Sequence, residues 1–453
     1  SVTDARVLKV KFTVTGKSTN PANSIYDISL RNITMDDALK DSNIKWRLYK
    51  NNTLLSSGDF SPSFDVMENN RMVLTTTQQD LTTTASTYVF LMWISESCTG
   101  DIANCTNSDN QFKYVGKSFS FNIKLETATK TKKNLTRKTL ASGTITTLYN
   151  NATKTPVTNN SITYQYDTKN SLMKDVGGNI RYYGASPNNY IYFNCSDYSN
   201  QSSSTCETWR IIGVFDGRIK LIRGSQIGSY SWDNKNTSTG AESNYGKNDW
   251  TDARLMKLLN PSYESETTGG SLYYNAKSGN CYAGQNNATT TCNFTSTGIK
   301  NDTTRNLISN TTYYLGGWNS TSVYPNQIYE YERGTTVYTE RPTIWQGKIA
   351  LPYPSDYGYA TDLGKCSQTL YNYDDSICTS NNWMKSILAP NYGWLLTTSS
   401  SDSYSTWPVG SRGFVGSGIT YNTYGIVPVL SLSSELSIKA GTGSSSAPYQ
   451  LSV

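Results

Sequence analysis

WRIIGVFDGRIKLIR, residues 209–223, decides the fold. Two apolar runs, Trp209 to Phe215 and Ile219 to Arg223, meet at Asp216-Gly217, a dipeptide suited to the tight turn of a β-hairpin. Similar patterns recur along the 453 residues. Leu8, Val10, Phe12 and Val14 alternate with Lys9, Lys11, Thr13 and Thr15 and stop at Gly16, the period of a half-buried strand. Lys45 to Lys50, a turn at Asn51-Asn52, and Leu54 to Phe60 read as a second hairpin. TYVFLMWI (87–94) is a nearly continuous apolar strand, and Phe119, Phe121, Ile123 and Leu125 alternate again. Abundant Tyr (34 residues), Thr, Ser and Asn fit pleated surfaces and turns. The expectation is a mainly β protein with an α+β part.

The organisation reads as two domains. Residues 1–127 form an antiparallel β-sandwich, jelly-roll-like, whose first strand lies within 1–16. ATKTKKNLTRKT (128–139) carries Lys130, Lys132, Lys133, Arg137 and Lys138 with Leu135 as its sole large apolar residue, so 128–145 reads as a basic, Thr-rich linker. Residues 146–453 make the larger α+β domain. WTDARLMKLLN (250–260) is its one convincing helix: Trp250, Ala253, Leu255, Leu258 and Leu259 share a face, and Pro261 forbids continuation.

Eight cysteines fall into four local couples: Cys98 with Cys105, Cys195 with Cys206, Cys281 with Cys292, and Cys366 with Cys378. An even count without C-x-x-C points to short disulfide-closed loops, and such bonds persist in oxidising compartments. The chain is therefore expected outside the cytoplasm, with any leader removed before Ser1 and no anchor in 450–453. Histidine is absent, which removes the Ser-His and Cys-His nucleophile pairs and the commonest zinc ligand. An enzyme would have to run on carboxylates, lysine or tyrosine. The net charge of +6 is modest and scattered, so it leaves no nucleic-acid footprint. No apolar run reaches the length of a transmembrane helix.

Several segments carry resemblances. WRIIGVF (209–215), NDWTDARLMKLLN (248–260), IALPYPSDYGYATDL (349–363), GWLLT (393–397), Trp407 followed by GIVPVLSL (425–432), and AGTGSSSAPYQL (440–451) occur in this order. From about residue 180 onward the chain resembles a family of uncharacterised domains in Gram-positive surface and secreted proteins, similar to C-type-lectin-like and sulfatase-modifying-factor-like folds. That likeness implies an α+β scaffold with long loops and no established activity. WRLYKNNTLLSSGDF (46–60), TYVFLMWI (87–94) and FKYVGKSFSFNIKL (112–125) resemble secreted β-sandwich subunits of Gram-positive matrix fibres. That likeness implies donation of the N-terminal strand into a neighbour's sheet, with Leu8, Val10, Phe12 and Val14 as the inserted side chains. Pairing of this strand within its own domain stays open beside it.

Candidate sites follow from residue type. Exposed aromatics among Tyr313, Tyr314, Trp318, Tyr329, Tyr331, Tyr371 and Tyr373 would offer a glycan or protein a contact surface. Asp356 with Asp362, and Asp374 with Asp375, read as loop-capping carboxylates before calcium ligands. Asp249 with Asp252, and Glu330 with Glu332, are the carboxylates closest in sequence for glycosidase chemistry. The reading is a non-enzymatic subunit of an extracellular, pilus-like filament, self-assembling by strand donation, with an outward lectin-like domain for adhesion and no cofactor. The alternatives are a monomeric secreted adhesin or glycan-binding protein and, behind it, a secreted glycan hydrolase.

Overall fold

The computed structural model describes residues 7–16, 24–41, 43–60, 71–75, 78–94, 114–129, 141–236, 245–434 and 436–453. It is 39% strand and 14% helix, so the mainly β expectation holds. The chain divides into two compact units at Leu140/Ala141.

The first unit contains β1 (Leu8–Val14), β2 (Ser24–Met35), β3 (Ile44–Lys50), β4 (Thr53–Asp59), β5 (Arg71–Val73), β6 (Gln79–Asp80), β7 (Ser86–Ile94) and β8 (Phe119–Thr129). One antiparallel sheet has the order β1-β7-β3-β4; in the other, β2 pairs with β8 and with β5 and β6. Ile28 and Leu30 of one sheet and Leu48, Phe90 and Met92 of the other belong to one buried cluster, which makes the unit sandwich-like. Inward and outward residues alternate because successive side chains of a strand leave opposite faces. The Tyr26 and Tyr88 hydroxyls join across this core at 2.6 Å. The Asn51-Asn52 turn has φ of 48° and 66°, the doubly positive pair that matches the twist of a two-residue hairpin.

β1 pairs along its whole length with β7, from Leu8 opposite Met92 to Val14 opposite Ser86. Among the described residues its other side is the edge of the sheet. Val14 is buried and Val10 and Phe12 pack against the core, whereas Leu8 is 39% exposed. In the single chain the first strand therefore takes the internal pairing left open by the sequence. The couple Cys98 and Cys105 lies outside the described residues.

Regular structure reaches into both ends of the segment expected as a linker. β8 runs on to Thr129, and a helix occupies Ala141–Asn151, burying Ala141, Ser142, Ile145 and Tyr149. The spacing of Ala141, Ile145 and Tyr149 places them on one helical stripe. Because this helix opens the second compact unit, the sequence boundary at 145/146 moves back to 140/141.

The second unit is built on a nine-stranded sheet. Its first seven strands are β9 (Thr155–Asn159), β10 (Ile162–Asp167), β11 (Leu172–Lys174), β12 (Ile180–Tyr182), β13 (Tyr190–Phe193), β14 (Glu207–Phe215) and β15 (Arg218–Arg223); Val429–Ser431 and Ile349–Ala350 continue beyond β15. β14 and β15 form the hairpin expected from 209–223, with Asp216 and Gly217 at φ 48° and 71°. A bulge lies between Ile211 and Gly213. A Cβ on Gly213 would stand 2.1 Å from the Ile180 carbonyl oxygen, so glycine is what lets β12 approach there. A five-stranded sheet contains Gly393–Thr398 and Ser405–Val409.

The helix expected over 250–260 is divided. Trp250–Asp252 is a 3₁₀ turn, Ala253 is extended (φ −63°, ψ 139°), and the α-helix covers only Arg254–Leu259. Asp249 accepts the Thr251 N–H, satisfying the first turn, while Trp250, Ala253, Leu255, Leu258 and Leu259 are all buried as their pattern required. Met256 is buried as well, which a single helical face does not explain. The amphipathic pattern held; the continuous helix did not.

Cys195–Cys206, Cys281–Cys292 and Cys366–Cys378 are disulfides, closing sequence separations of 11, 11 and 12. In the chain-entropy model each contributes about 3 kcal/mol by limiting the unfolded chain. Among the described residues, no helix is long and apolar enough to cross a membrane.

Candidate functional site

β15 has sheet neighbours on both sides, so every residue from Ile219 to Arg223 is buried, including Lys220. An ammonium taken from water costs several kcal/mol unless it is paired and hydrogen-bonded. The partner comes from the short helix Pro354–Tyr359, where Pro354 sits at the start and Asp356 accepts the Tyr353 N–H at 3.0 Å. Asp356 Oδ2 lies 2.5 Å from Lys220 Nζ, and its Oδ1 lies 2.8 Å from Arg181 Nη1. Arg181, on the central strand β12, also reaches Asp175 Oδ2 through Nε at 2.5 Å.

Asp175 is fixed by its own turn, accepting the Gly177 and Asn179 N–H groups at 2.9 Å each. Burial works against the charge of Asp356, but Lys220 and Arg181 outweigh it and hold its carboxyl below the usual range. Burial likewise opposes the charge on Arg181, and Asp175 and Asp356 reverse the effect. Phe215 and Tyr359 cover the guanidinium, with ring centroids 4.6 and 4.9 Å from Cζ.

A second pair adjoins this network. Glu332 ends the helix Pro325–Glu332 and is fully buried. It accepts the Ser355 N–H at 2.9 Å and the Ser355 hydroxyl at 2.5 Å, and Arg333 Nη1 lies 3.3 Å away. Burial is the dominant influence and pushes its carboxyl up to about 7. The Arg333 guanidinium lies 3.5 Å from the Tyr329 ring centroid and 5.2 Å from that of Tyr314.

Between the β14–β15 turn, the strand Thr311–Tyr314 and Arg333 lies a cavity of about 370 Å³. Lys220, Tyr313, Tyr353 and Ser431 are its buried members; Arg218, Arg333 and Tyr314 are more accessible. The lining carries three cations, Arg218, Lys220 and Arg333, against one carboxylate, Asp216. This volume falls in the range of small-ligand sites.

The expected aromatic surface is dispersed. Tyr313 and Tyr314 line the cavity, but Tyr313 is only 3% exposed and faces Trp345, with ring centroids 5.5 Å apart. Trp318 and Tyr331 stack on one another at 3.9 Å. Tyr329 is buried against Arg333, Tyr373 is buried near Tyr357, and Tyr371 is 54% exposed. Buried Tyr313, Tyr329 and Tyr373 therefore serve the core and drop out of the possible ligand surface: a phenol ring is apolar enough to pack and has one hydroxyl to satisfy.

The carboxylate couples likewise have structural partners. Asp252 pairs with Lys235 and Lys257; Asp249 caps its 3₁₀ turn; Asp375 caps the helix Ser376–Ser380; Asp374 approaches Arg412 at 3.5 Å. Asp356 and Asp362 take different roles, one in the buried network and the other accepting the Gly364 N–H. Neither Glu330 nor Glu332 lines the cavity. The lining offers cations, one exposed carboxylate, hydroxyls, an amide and phenol rings.

Arg218 and Lys220 line the cavity without standing among the residues expected from the sequence. The signal was present in IKLIR: a lysine inside a strand apolar on both faces must be paired or must serve a site. No protein family matches the chain, and no curated protein or solved structure is similar to it, so the lectin-like and fibre-subunit likenesses rest on the quoted segments alone.

Proposed function

We propose that the chain is a structural subunit of an extracellular surface filament, assembled by exchange of its first strand between copies, with the second unit supplying an adhesive surface. The observation that carries this reading is the position of β1: an amphipathic strand in the first fifteen residues that, among the described residues, lies at a sheet edge and pairs with β7 alone. A copy of the same strand from a neighbouring subunit would meet the same register and the same pockets for Val10, Phe12 and Val14. The disulfides support an oxidising, extracellular setting.

The test locks the strand at home. Lys11 and Val89 are directly opposed in the register. Lys11→Cys with Val89→Cys, oxidised, tethers β1 to its own β7. Electron microscopy of the native chain should show filaments, and the tethered variant should show none. Filaments from the tethered variant, or dispersed particles from the native chain, would sink strand exchange. Dispersed native particles would favour the second reading, a monomeric glycan-binding adhesin. The observation favouring that reading is the complete internal β1–β7 pairing.

A further inference from the structure

The geometry points to a binding site for the carboxylate of an acidic sugar, a hexuronate, in the cavity bounded by Arg218, Lys220, Arg333, Tyr314 and Tyr353. The inference stands on the cavity alone and does not depend on strand exchange.

Charge is the first argument. Three cationic side chains and one carboxylate line the space, and the carboxylate, Asp216, is exposed at the hairpin turn. Arg218 Nε is buried and finds no hydrogen-bond partner among the described residues. A buried donor left unmade is unfavourable by about 1–3 kcal/mol, so such a group needs a reason. An anion in the cavity supplies one. Lys220 points the same way: its side chain is 7% exposed, it lines the cavity, and Asp356 occupies only one of the three donors on its ammonium. Arg333 is already held against Tyr329, so little of its rotamer freedom remains to be lost on binding.

Size and the neutral lining choose among anions. A space of about 370 Å³ exceeds what a bare inorganic ion fills and suits a single sugar ring. Tyr314 stands at the rim, 37% exposed, with its ring available to the C–H face of a pyranose. Exposed Asn310 and Thr312 add an amide and a hydroxyl for ring hydroxyl groups. A neutral sugar would answer Arg218 Nε with a hydroxyl oxygen alone, whereas a carboxylate accepts shorter, stronger charge-assisted bonds from arginine and lysine.

Calorimetric titration of the full chain with sodium glucuronate, glucose and sodium sulfate tests the assignment. Glucuronate should bind at least about tenfold more tightly than either glucose or sulfate. Arg218→Gln should weaken glucuronate about tenfold, because a charge-assisted contact is lost from a partly exposed side chain. Tyr314→Ala, which alters an exposed ring, should weaken glucuronate and leave sulfate unchanged. Lys365→Gln, whose side chain is 59% exposed and outside the lining, should change nothing and serves as the control. Equal affinity for glucose and glucuronate would overturn the proposal, as would full affinity in Arg218→Gln. Sulfate binding as tightly as glucuronate would also overturn it, leaving a general anion site. If Arg218→Gln loses its circular-dichroism signal, the Tyr314→Ala comparison decides.

Discussion

The two units solve the same problem, burying sheets, with opposite chemistry. The N-terminal sandwich joins its sheets through apolar side chains and the Tyr26–Tyr88 hydroxyl pair, and its ion pairs Arg31–Glu126 and Lys45–Asp59 are partly exposed. The second unit buries Arg181, Lys220, Asp175, Asp356 and Glu332 and staples its loops with three disulfides. An apolar alternating pattern accepts any strand that supplies the same side chains in register. A buried charge network accepts only the residues that complete it. The contrast sets an apolar alternating pattern, on which the proposed strand exchange would draw, in the first unit against a buried charge network beside a cavity in the second.

The largest effect should come from breaking the network. Asp356→Ala leaves Arg181 without one partner and Lys220 without its ion pair, a loss of about 3–5 kcal/mol for an uncompensated buried charge. The counterpart is Leu48→Ala, at a fully buried sandwich position, with an expected loss of about 3 kcal/mol from transfer and cavity effects. Amide hydrogen exchange separates the two. Asp356→Ala should accelerate exchange in β12 and β15 and leave β3 and β7 protected; Leu48→Ala should do the reverse. Uniform acceleration throughout the chain by either variant would break the comparison.

Glu332 extends the contrast to pH. Its carboxyl is raised from 4.5 to about 7 by burial, so the folded state holds a proton that the unfolded state has already released between those values. The stabilisation is complete below about 4.5 and is lost as pH rises through about 7, a total of about 3 kcal/mol. Urea midpoints of the second unit should fall across that window, and Glu332→Gln should flatten its contribution. A wild-type midpoint that rises from pH 5 to 7 with the same slope in the variant would remove Glu332 from the account.

The disulfides come next. Cys366→Ala with Cys378→Ala should destabilise by about 2–3 kcal/mol, because a separation of 12 residues is no longer closed in the unfolded chain. Faster exchange around Ser376–Ser380, with the sandwich unchanged, is the expected signature. An unchanged urea midpoint would mean that packing alone holds that loop.

What the sequence made legible was local. The Asp216-Gly217 and Asn51-Asn52 turns, the strand at 87–94 and the three described cysteine couples all depend on residues near one another in the chain. The network does not: Arg181 and Asp356 are 175 residues apart, and Lys220 and Asp356 are 136 apart. No periodicity connects such residues. The split at Ala253 escaped for a related reason, since the buried set of Trp250, Leu255, Met256, Leu258 and Leu259 is compatible with one helix or with a 3₁₀ turn followed by a short helix. Tyrosine misled in a different way. Its ring packs and its hydroxyl bonds, so composition could not separate buried Tyr373 from exposed Tyr371.

The smallest expected effects sharpen the comparison most closely, because each unit contains a two-residue turn of the same doubly positive kind. Gly217→Ala places a Cβ at φ 71° and should destabilise the β14–β15 hairpin by about 1 kcal/mol. In the sandwich the two asparagines are not equivalent. Asn51 Oδ1 accepts the Thr87 N–H at 2.8 Å, tying the turn to β7 beside the start of its pairing with β1. Asn51→Gly should therefore lose about 1 kcal/mol with that hydrogen bond, while Asn52→Gly, at φ 66°, relieves backbone strain and should shift stability by only a few tenths. If Asn51→Gly also speeds exchange of the β1 amides, the turn helps retain the first strand, and holding that strand at home becomes a property set by one side chain. If β1 is untouched, its retention lies with the side chains of Val10, Phe12 and Val14, which a neighbour's strand would supply equally well.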